Sequence, residues 1–380
     1  MSITQKLKKG AAWTLGRALP IQKNKVVFSS FYGRGASDNP KAIVDALAQR
    51  PEKLDIVWLA KDPAHAGVPD NVRVVPYDTP AAIRELSTAR VWVDNCRKCA
   101  HVKKDGQYYM QTWHGFALKR IERDVADKLN TPENAAYAEY AKRDSAQIDA
   151  IISNSTFMTE IYQKSFWYHG AVLEYGSART DILVNPPADA KQQVQQALHL
   201  PNDCQIIMYA PTFRADHSLD AYQLDYQAVC RACAQRFGGN WVMLVRLHPN
   251  VMKLAKDLKF DNRTTFDATA VDDMQLLLAG CDAVITDYSS LMFDFALTRR
   301  PCFQFAMDID AYKGDRNFYF PLDETPFPLA VSNEDMVQNI LQFDAAAYQA
   351  DWDAFYQKMG FCEDGNASER CVKWILEKTK

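Results

Sequence analysis

The chain has 380 residues, 48% hydrophobic and 12% aromatic, enough to bury a large core and long enough for two domains. A formal net charge of −3 gives no support to nucleic-acid binding, and no apolar run approaches the length of a membrane span. Nine cysteines, an odd number scattered along the chain, argue against a disulfide framework and for free thiols in a reduced compartment.

The first stretch, Met1 to Ser37, contains no acid but carries Lys6, Lys8, Lys9, Arg17, Lys23, Lys25 and Arg34. With Ile3, Leu7, Trp13 and Leu15 as a small apolar face, residues 1–24 read as a basic arm for an anionic membrane surface. The alternative is a helix that packs on its own domain. Arg17 and Pro20 break the apolar run too early for a signal peptide or a span. The expectation is a cytoplasmic protein, peripheral on the inner face of the cell membrane.

Short β-like runs then alternate with helical patterns. In the first half the strands are KVVFSSF, DIVWLA, VRVVPYD, VWVDNC, YYMQTW, AIISNS and VLEYG; in the second they are QIIMYAPT, WVMLVRLHP, TTFDAT, DAVITD and CFQFA. Most are continuous apolar runs, as parallel strands covered on both faces must be. NPKAIVDALAQR, DDMQLLLAGC and SLMFDFALTRR supply helices between them. The alternation predicts an α/β protein of two doubly wound, Rossmann-like lobes. The expected lobes are residues 25–186 and 187–348, divided at Asn185-Pro186-Pro187, with a C-terminal helical segment, 349–380, packing back across them.

In such sheets ligands bind beyond the carboxyl ends of the strands, and polar residues gather there. Gln111-Thr112-Trp113-His114-Gly115 ends one strand, and His114 at its tip suits a general base. Gly115 permits close backbone approach. A packed or surface histidine is the plain alternative. In the second half, Pro211-Thr212-Phe213-Arg214 ends a strand with a cation. Arg246 and His248 share one face of another strand end, a pairing suited to a diphosphate. Thr286, Asp287, Ser289 and Ser290 join a strand to a helix, where free N–H groups and hydroxyls make an anion site. Simple N-capping by Asp287 or Ser289 would explain part of this cluster. Asp294, one turn on, is placed to orient Ser290 or to accept from a ligand hydroxyl. Asp308-Ile309-Asp310 resembles a metal–nucleotide DxD, but so short a pattern is discounted. Cys96/Cys99 and Cys230/Cys233 are too far apart in sequence to favour zinc. GxGxxG, GxxxxGK[ST] and GxSxG are all lacking, which argues against dinucleotide, P-loop and hydrolase chemistry.

Eight segments, in order over nearly the whole chain, resemble the CDP-glycerol glycerophosphotransferases of teichoic acid and capsule polymer synthesis. They are Ser37-Asp38-Asn39-Pro40-Lys41, Gln111 to Gly115, Gly176-Ser177-Ala178-Arg179-Thr180-Asp181, Ala210 to Arg214, Arg246 to Pro249, Thr286 to Ser290 with Phe293-Asp294, Asn317-Phe318-Tyr319-Phe320, and Asp364 to Arg370. The resemblance implies a GT-B-like fold with a cleft between lobes, no metal and no cofactor. It also implies a CDP-glycerol or other CDP-alditol donor, and a lipid-linked saccharide or polymer as acceptor. Donor contacts carried over by position are His114, Gly115, Arg179, Phe213, Arg214, Arg246, His248, Ser289, Ser290 and Asp294, beside Thr212 and Thr286 from the strand ends. His114 and His248 are the catalytic candidates. The chain departs from the family at Phe116 and Ala117, where Thr and Pro are usual, at Ala178 in place of Pro, and at Asn317 in place of Gly. Two other readings stay open: a GT-B glycosyltransferase using a nucleotide-diphosphate sugar, and a non-catalytic nucleotide or polyanion binder at the membrane.

Overall fold

The computed structural model describes residues 3–98, 101–125, 131–212, 214, 220–247, 258, 260–309 and 318–380, without the side chains of residues 3–9 and 220. His248, Phe213, Cys99, Asp310 and Asn317 lie outside the described residues.

Two parallel sheets carry the fold. The first joins β1 (Gln22–Ser29), β2 (Asp55–Ala60), β3 (Arg73–Pro76), β4 (Ala89–Asp94), β5 (Tyr108–Gln111), β6 (Ala150–Ser153) and β7 (Ala171–Glu174) in the order β3-β2-β1-β4-β5-β6-β7. The second joins β8 (Cys204–Tyr209), β9 (Asn240–Val245), β10 (Thr265–Asp267), β11 (Ala283–Thr286), β12 (Cys302–Phe305) and β13 (Leu329–Ala330) in the order β10-β9-β8-β11-β12-β13. The two doubly wound parallel sheets expected from the alternating pattern are therefore present. Each order reverses once, between β1 and β4 and between β8 and β11. Those are the topological switch points, where diverging connections leave room for a ligand.

Chain contacts divide the molecule into two compact units. One comprises Met1–His114, Ile121–Asp181 and Phe361–Lys380; the other comprises Gly115–Arg120 and Ile182–Gly360. In the first, Val26 and Phe28 of β1, Trp58 of β2 and Val91 and Val93 of β4 form a core with Ile43, Val44 and Leu47 of helix Asp38–Ala48. Cys371, Val372 and Ile375 of the C-terminal helix Ala367–Lys378 pack against the same core. Asp181 fixes that helix by accepting from the N–H of Ala367 at 3.0 Å and of Ser368 at 2.8 Å.

The N-terminal helix Ile3–Ala18 has no acid in its first turn. Its later half packs on the unit itself: Gly16 lies against Ser87 of helix Pro80–Thr88, and Trp13 meets His101 at 5.3 Å. Leu15 stays exposed. No helix among the described residues is long and apolar enough to cross a membrane. Cys230 and Cys233 are free and buried on helix Tyr226–Phe237.

In the second unit, the segment Gly115–Arg120 is held by its own contacts. Phe116 is 2% exposed and meets Phe293 at 4.6 Å. Tyr319 N–H donates to the Leu118 carbonyl at 2.9 Å, and Lys119 bridges Phe318. The helix expected over residues 290–300 is shorter, Leu291–Ala296, and the left-handed Arg299 (φ 59°) follows it.

Candidate active site

Each switch point carries a buried polar web. In the first unit, Ser29 and Asp94 end β1 and β4 as register partners. Ser29 Oγ donates to Asp94, and the Lys98 ammonium reaches Asp94 Oδ2 at 2.7 Å and Ser29 Oγ at 2.9 Å. All three side chains are buried. Such a pair is maintained only with good geometry and additional hydrogen bonds. Asp94 Oδ1 supplies one by accepting from the Cys96 N–H at 2.8 Å. The following loop is anchored again: Arg97 pairs with Glu122 at 2.6 Å and Asp144 at 3.3 Å, and Tyr137 donates to Glu122. Burial pushes the Asp144 carboxyl up to about 6, against the pull of Arg97.

His114 stands on this base. The backbone turns out of β5 through Trp113, in the left-handed region at φ 51°, and Gly115 at φ 152°. The His114 ring stacks on Trp113 at 4.3 Å and meets the Phe31 ring edge-on at 5.6 Å. Its Nδ1 lies 2.7 Å from the Asn95 carbonyl oxygen. A carbonyl only accepts, so Nδ1 carries the proton and Nε2 keeps its lone pair. Burial holds the imidazole below its ordinary value; Asp38 and the Asn95 carbonyl work in the opposite sense. The ring is therefore neutral and basic at Nε2 near pH 7.

Arg179 lies in the same neighbourhood, 5% exposed and ion-paired to Asp38 at 2.8 Å. Asn39 joins the parts: its Oδ1 accepts from the Arg179 N–H at 3.0 Å, and its Nδ2 donates to the Trp113 carbonyl at 3.2 Å. Glu363 secures the Arg179 turn by accepting from Ser177 N–H and Thr180 Oγ1, both at 2.9 Å.

In the second unit, Thr212 and Arg214 follow β8, and Asp287 follows β11. Asp287, fully buried, accepts from the Thr212 N–H at 2.7 Å and pairs with Arg214 at 2.9 Å. Arg214 is also paired with Asp308 at 2.6 Å and lies 5.0 Å over the Tyr288 ring, whose hydroxyl donates to Asp308 at 2.8 Å. Burial opposes its charge, but the two carboxylates more than restore it. Thr286 is buried and donates to the Ala210 carbonyl at 2.7 Å, so its hydroxyl braces β11. The Thr212 hydroxyl is buried without a partner among the described residues.

Ser289 and Ser290 are half-buried at the start of Leu291–Ala296. Ser289 Oγ accepts from the Leu291 N–H at 3.3 Å, while Ser290 makes no side-chain cap. Asp294 is buried and accepts from Gln275 at 3.2 Å. Arg246 is held beside the same sheet by the carbonyls of Ala268 and Val271, and no carboxylate ion-pairs with it among the described residues. Burial lowers its affinity for the proton. A desolvated guanidinium with no paired anion is suited to phosphate.

The structure thus joins His114 with Arg179, and Thr212 with Arg214 and the Thr286-Asp287 strand end. Asp38 entered the sequence reading only within a family-matching segment, Asn95 and Glu363 were not singled out, and Asp308 was discounted. Asn95 follows β4 directly and was open to the same rule that found His114.

The family model described as CDP-Glycerol:Poly(glycerophosphate) glycerophosphotransferase matches residues 12–377. The teichoic acid poly(glycerol phosphate) polymerase of Staphylococcus epidermidis is 32% identical over 92% of this chain and 50% of its own length. The teichoic acid glycerol-phosphate transferase of Staphylococcus aureus is 31% identical over 93% of each chain. The chain spans about half the length of the first polymerases it matches, 50% and 49%. A solved structure of the wall teichoic acid polymerase TagF superposes with a TM-score of 0.86 at 28% identity, covering 100% of this chain and 99% of that one. A histidine variant of that polymerase soaked with CDPG superposes at 0.85.

Proposed function

Since the chain belongs to the CDP-glycerol:poly(glycerophosphate) glycerophosphotransferase family, we propose that it transfers glycerol phosphate from CDP-glycerol to an acceptor hydroxyl in teichoic acid synthesis, releasing CMP. The observation that carries this is His114, whose Nδ1 is committed to the Asn95 carbonyl at 2.7 Å and whose Nε2 has no hydrogen bond among the described residues. In the proposed step Nε2 takes the proton of the acceptor hydroxyl. The acceptor oxygen bonds to the phosphorus nearest the glycerol, and the bond from that phosphorus to the CMP oxygen breaks, with its electron pair leaving on CMP. The chemistry needs positioning and charge stabilisation and no covalent intermediate.

Arg246 and the hydroxyls of Ser289 and Ser290 are the proposed diphosphate contacts, with His248 beside Arg246 in sequence. Arg214 joins them when the donor draws it from its carboxylates. The acceptor is proposed to be a lipid-linked saccharide or polymer. The basic helix Ile3–Ala18, with exposed Leu15, supports attachment to an anionic inner membrane face.

A thermal-shift panel with CDP-glycerol, CDP-ribitol, UDP-GlcNAc and CMP tests the donor, because a ligand of the folded state raises Tm by mass action. A CDP-glycerol shift above that of CMP is expected. A shift with UDP-GlcNAc alone would replace this reading with a sugar transferase.

A further inference from the structure

Asn95 sits at the switch point of the first sheet and touches two things with two different groups. Its carbonyl oxygen accepts from His114 Nδ1 at 2.7 Å. Its side-chain Oδ1 accepts from the Phe31 N–H at 2.9 Å. Phe31 opens a turn of three successive left-handed residues, Phe31 (φ 42°), Tyr32 (φ 57°) and Gly33 (φ 79°). For the two non-glycine residues that conformation is unfavourable and persists only where surroundings impose it. The Phe31 ring in turn rests on His114 at 5.6 Å. One side chain thus pins the turn that packs on the imidazole, and the same residue's peptide sets the tautomer.

The choice of residue is informative. Asn95 is fully buried, and its Nδ2 has no partner among the described residues. A buried amide donor left without an acceptor is destabilising and calls for a reason. Aspartate would accept from Phe31 equally well and leave no orphan donor. It would also place a second buried carboxylate next to Asp94 and close to His114. The groups already acting on His114 are Asp38, Arg179 and Glu122, from helix Asp38–Ala48, the turn at Ala178–Thr180 and the chain after Arg120. An additional anion would favour the imidazolium, which cannot accept a proton.

We infer that Asn95 is a positioning residue for His114: its carbonyl fixes the Nδ1-protonated tautomer, and its neutral side chain, braced on Phe31, holds that carbonyl in place without adding charge. Asp94, held by Lys98 and Ser29, anchors the adjoining peptide by accepting from the Cys96 N–H. The catalytic consequence rests on the base role proposed for His114, while the tautomer does not.

The test is nitrogen-15 NMR of the histidine-labelled 380-residue chain, with His114→Gln to assign the signal, run beside pH profiles of CMP release from CDP-glycerol. The wild type should show His114 protonated at Nδ1. Asn95→Ala, which frees Phe31 and the carbonyl, should give a mixed tautomer and about a tenfold loss of CMP release at unchanged donor KM. Asn95→Asp keeps the Phe31 bond, so it should keep the tautomer but raise the His114 titration midpoint and the acid limb of the profile by about one pH unit or more. If Asn95→Ala does not fold, Asn95→Asp and Asn95→Ser decide. An unchanged tautomer and midpoint in the folded variants overturn the inference. Full CMP release by His114→Gln would overturn the base role alone, leaving the NMR result to judge Asn95.

Discussion

Asp308 grips Arg214 at two points, Nε to Oδ2 at 2.6 Å and Nη2 to Oδ1 at 3.1 Å. With Asp287 on the other side at 2.9 Å, one guanidinium faces two carboxylates. Such a cluster is negative as a whole and opposes a diphosphate until one carboxylate lets go. Asp308 is the looser partner, its side chain 39% exposed where that of Asp287 is fully buried.

Asp308→Asn should therefore tighten CDP-glycerol binding, by about fivefold for 1 kcal/mol of relieved competition. Arg214→Ala should weaken it. Calorimetric titration without acceptor measures both. Weaker binding by Asp308→Asn would make Asp308 a donor contact in its own right.

His114→Ala should lower turnover by about 10² to 10⁴-fold and leave donor affinity nearly intact. Because burial holds the imidazole below its ordinary value of 6.5, the acid limb of the wild-type rate profile should fall below that value. The unfolded chain binds a proton at this site more readily than the native one, so stability is lost as pH falls from about 6.5 through the lower folded value. Initial rates and denaturant midpoints from pH 5 to 8 check both statements.

Arg97→Met leaves Glu122 and Asp144 as buried carboxylates without their cation. The expected loss is about 3–5 kcal/mol, read from urea unfolding. Asp144 adds a pH signature of the opposite sense to His114. Its folded value is raised to about 6 from 3.8, so its contribution is present below about 4 and is lost as pH rises through 6. Asp144→Asn should remove that slope.

Phe116→Thr places the family's usual residue after the WHG triplet. Phe116 is 2% exposed in an aromatic group with Phe293 and Phe320. The change should destabilise by about 3 kcal/mol or more, as other losses of a buried aromatic do, and lower Tm.

The two sheets were legible because their strands are continuous apolar runs, and His114 because a tryptophan, a histidine and a glycine close one of them. β13 was not legible: Leu329–Ala330 is two residues long and gains its strand character only by pairing with β12. The helix after Ser290 was read too long, since the apolar spacing carries no sign of the left-handed backbone at Arg299. Asn95 stood at a strand end and was passed over, and Asp308 was weighed only as part of a DxD; neither partner was visible. Asn95 meets His114 across 19 positions, and Asp308 meets Arg214 across 94. Their roles arise from tertiary pairing, which local spacing does not encode. Arg179 and Thr286 were read as donor contacts, and the structure gives each an internal partner.

The chain passes between its two units four times, after His114, Arg120, Asp181 and Gly360. A chimera exchanging only residues 182–360 with a relative would keep the host's Phe116 against a foreign counterpart of Phe293. Grafting a new donor preference onto this scaffold therefore requires two transplanted pieces: the six residues Gly115–Arg120 must travel with the long one.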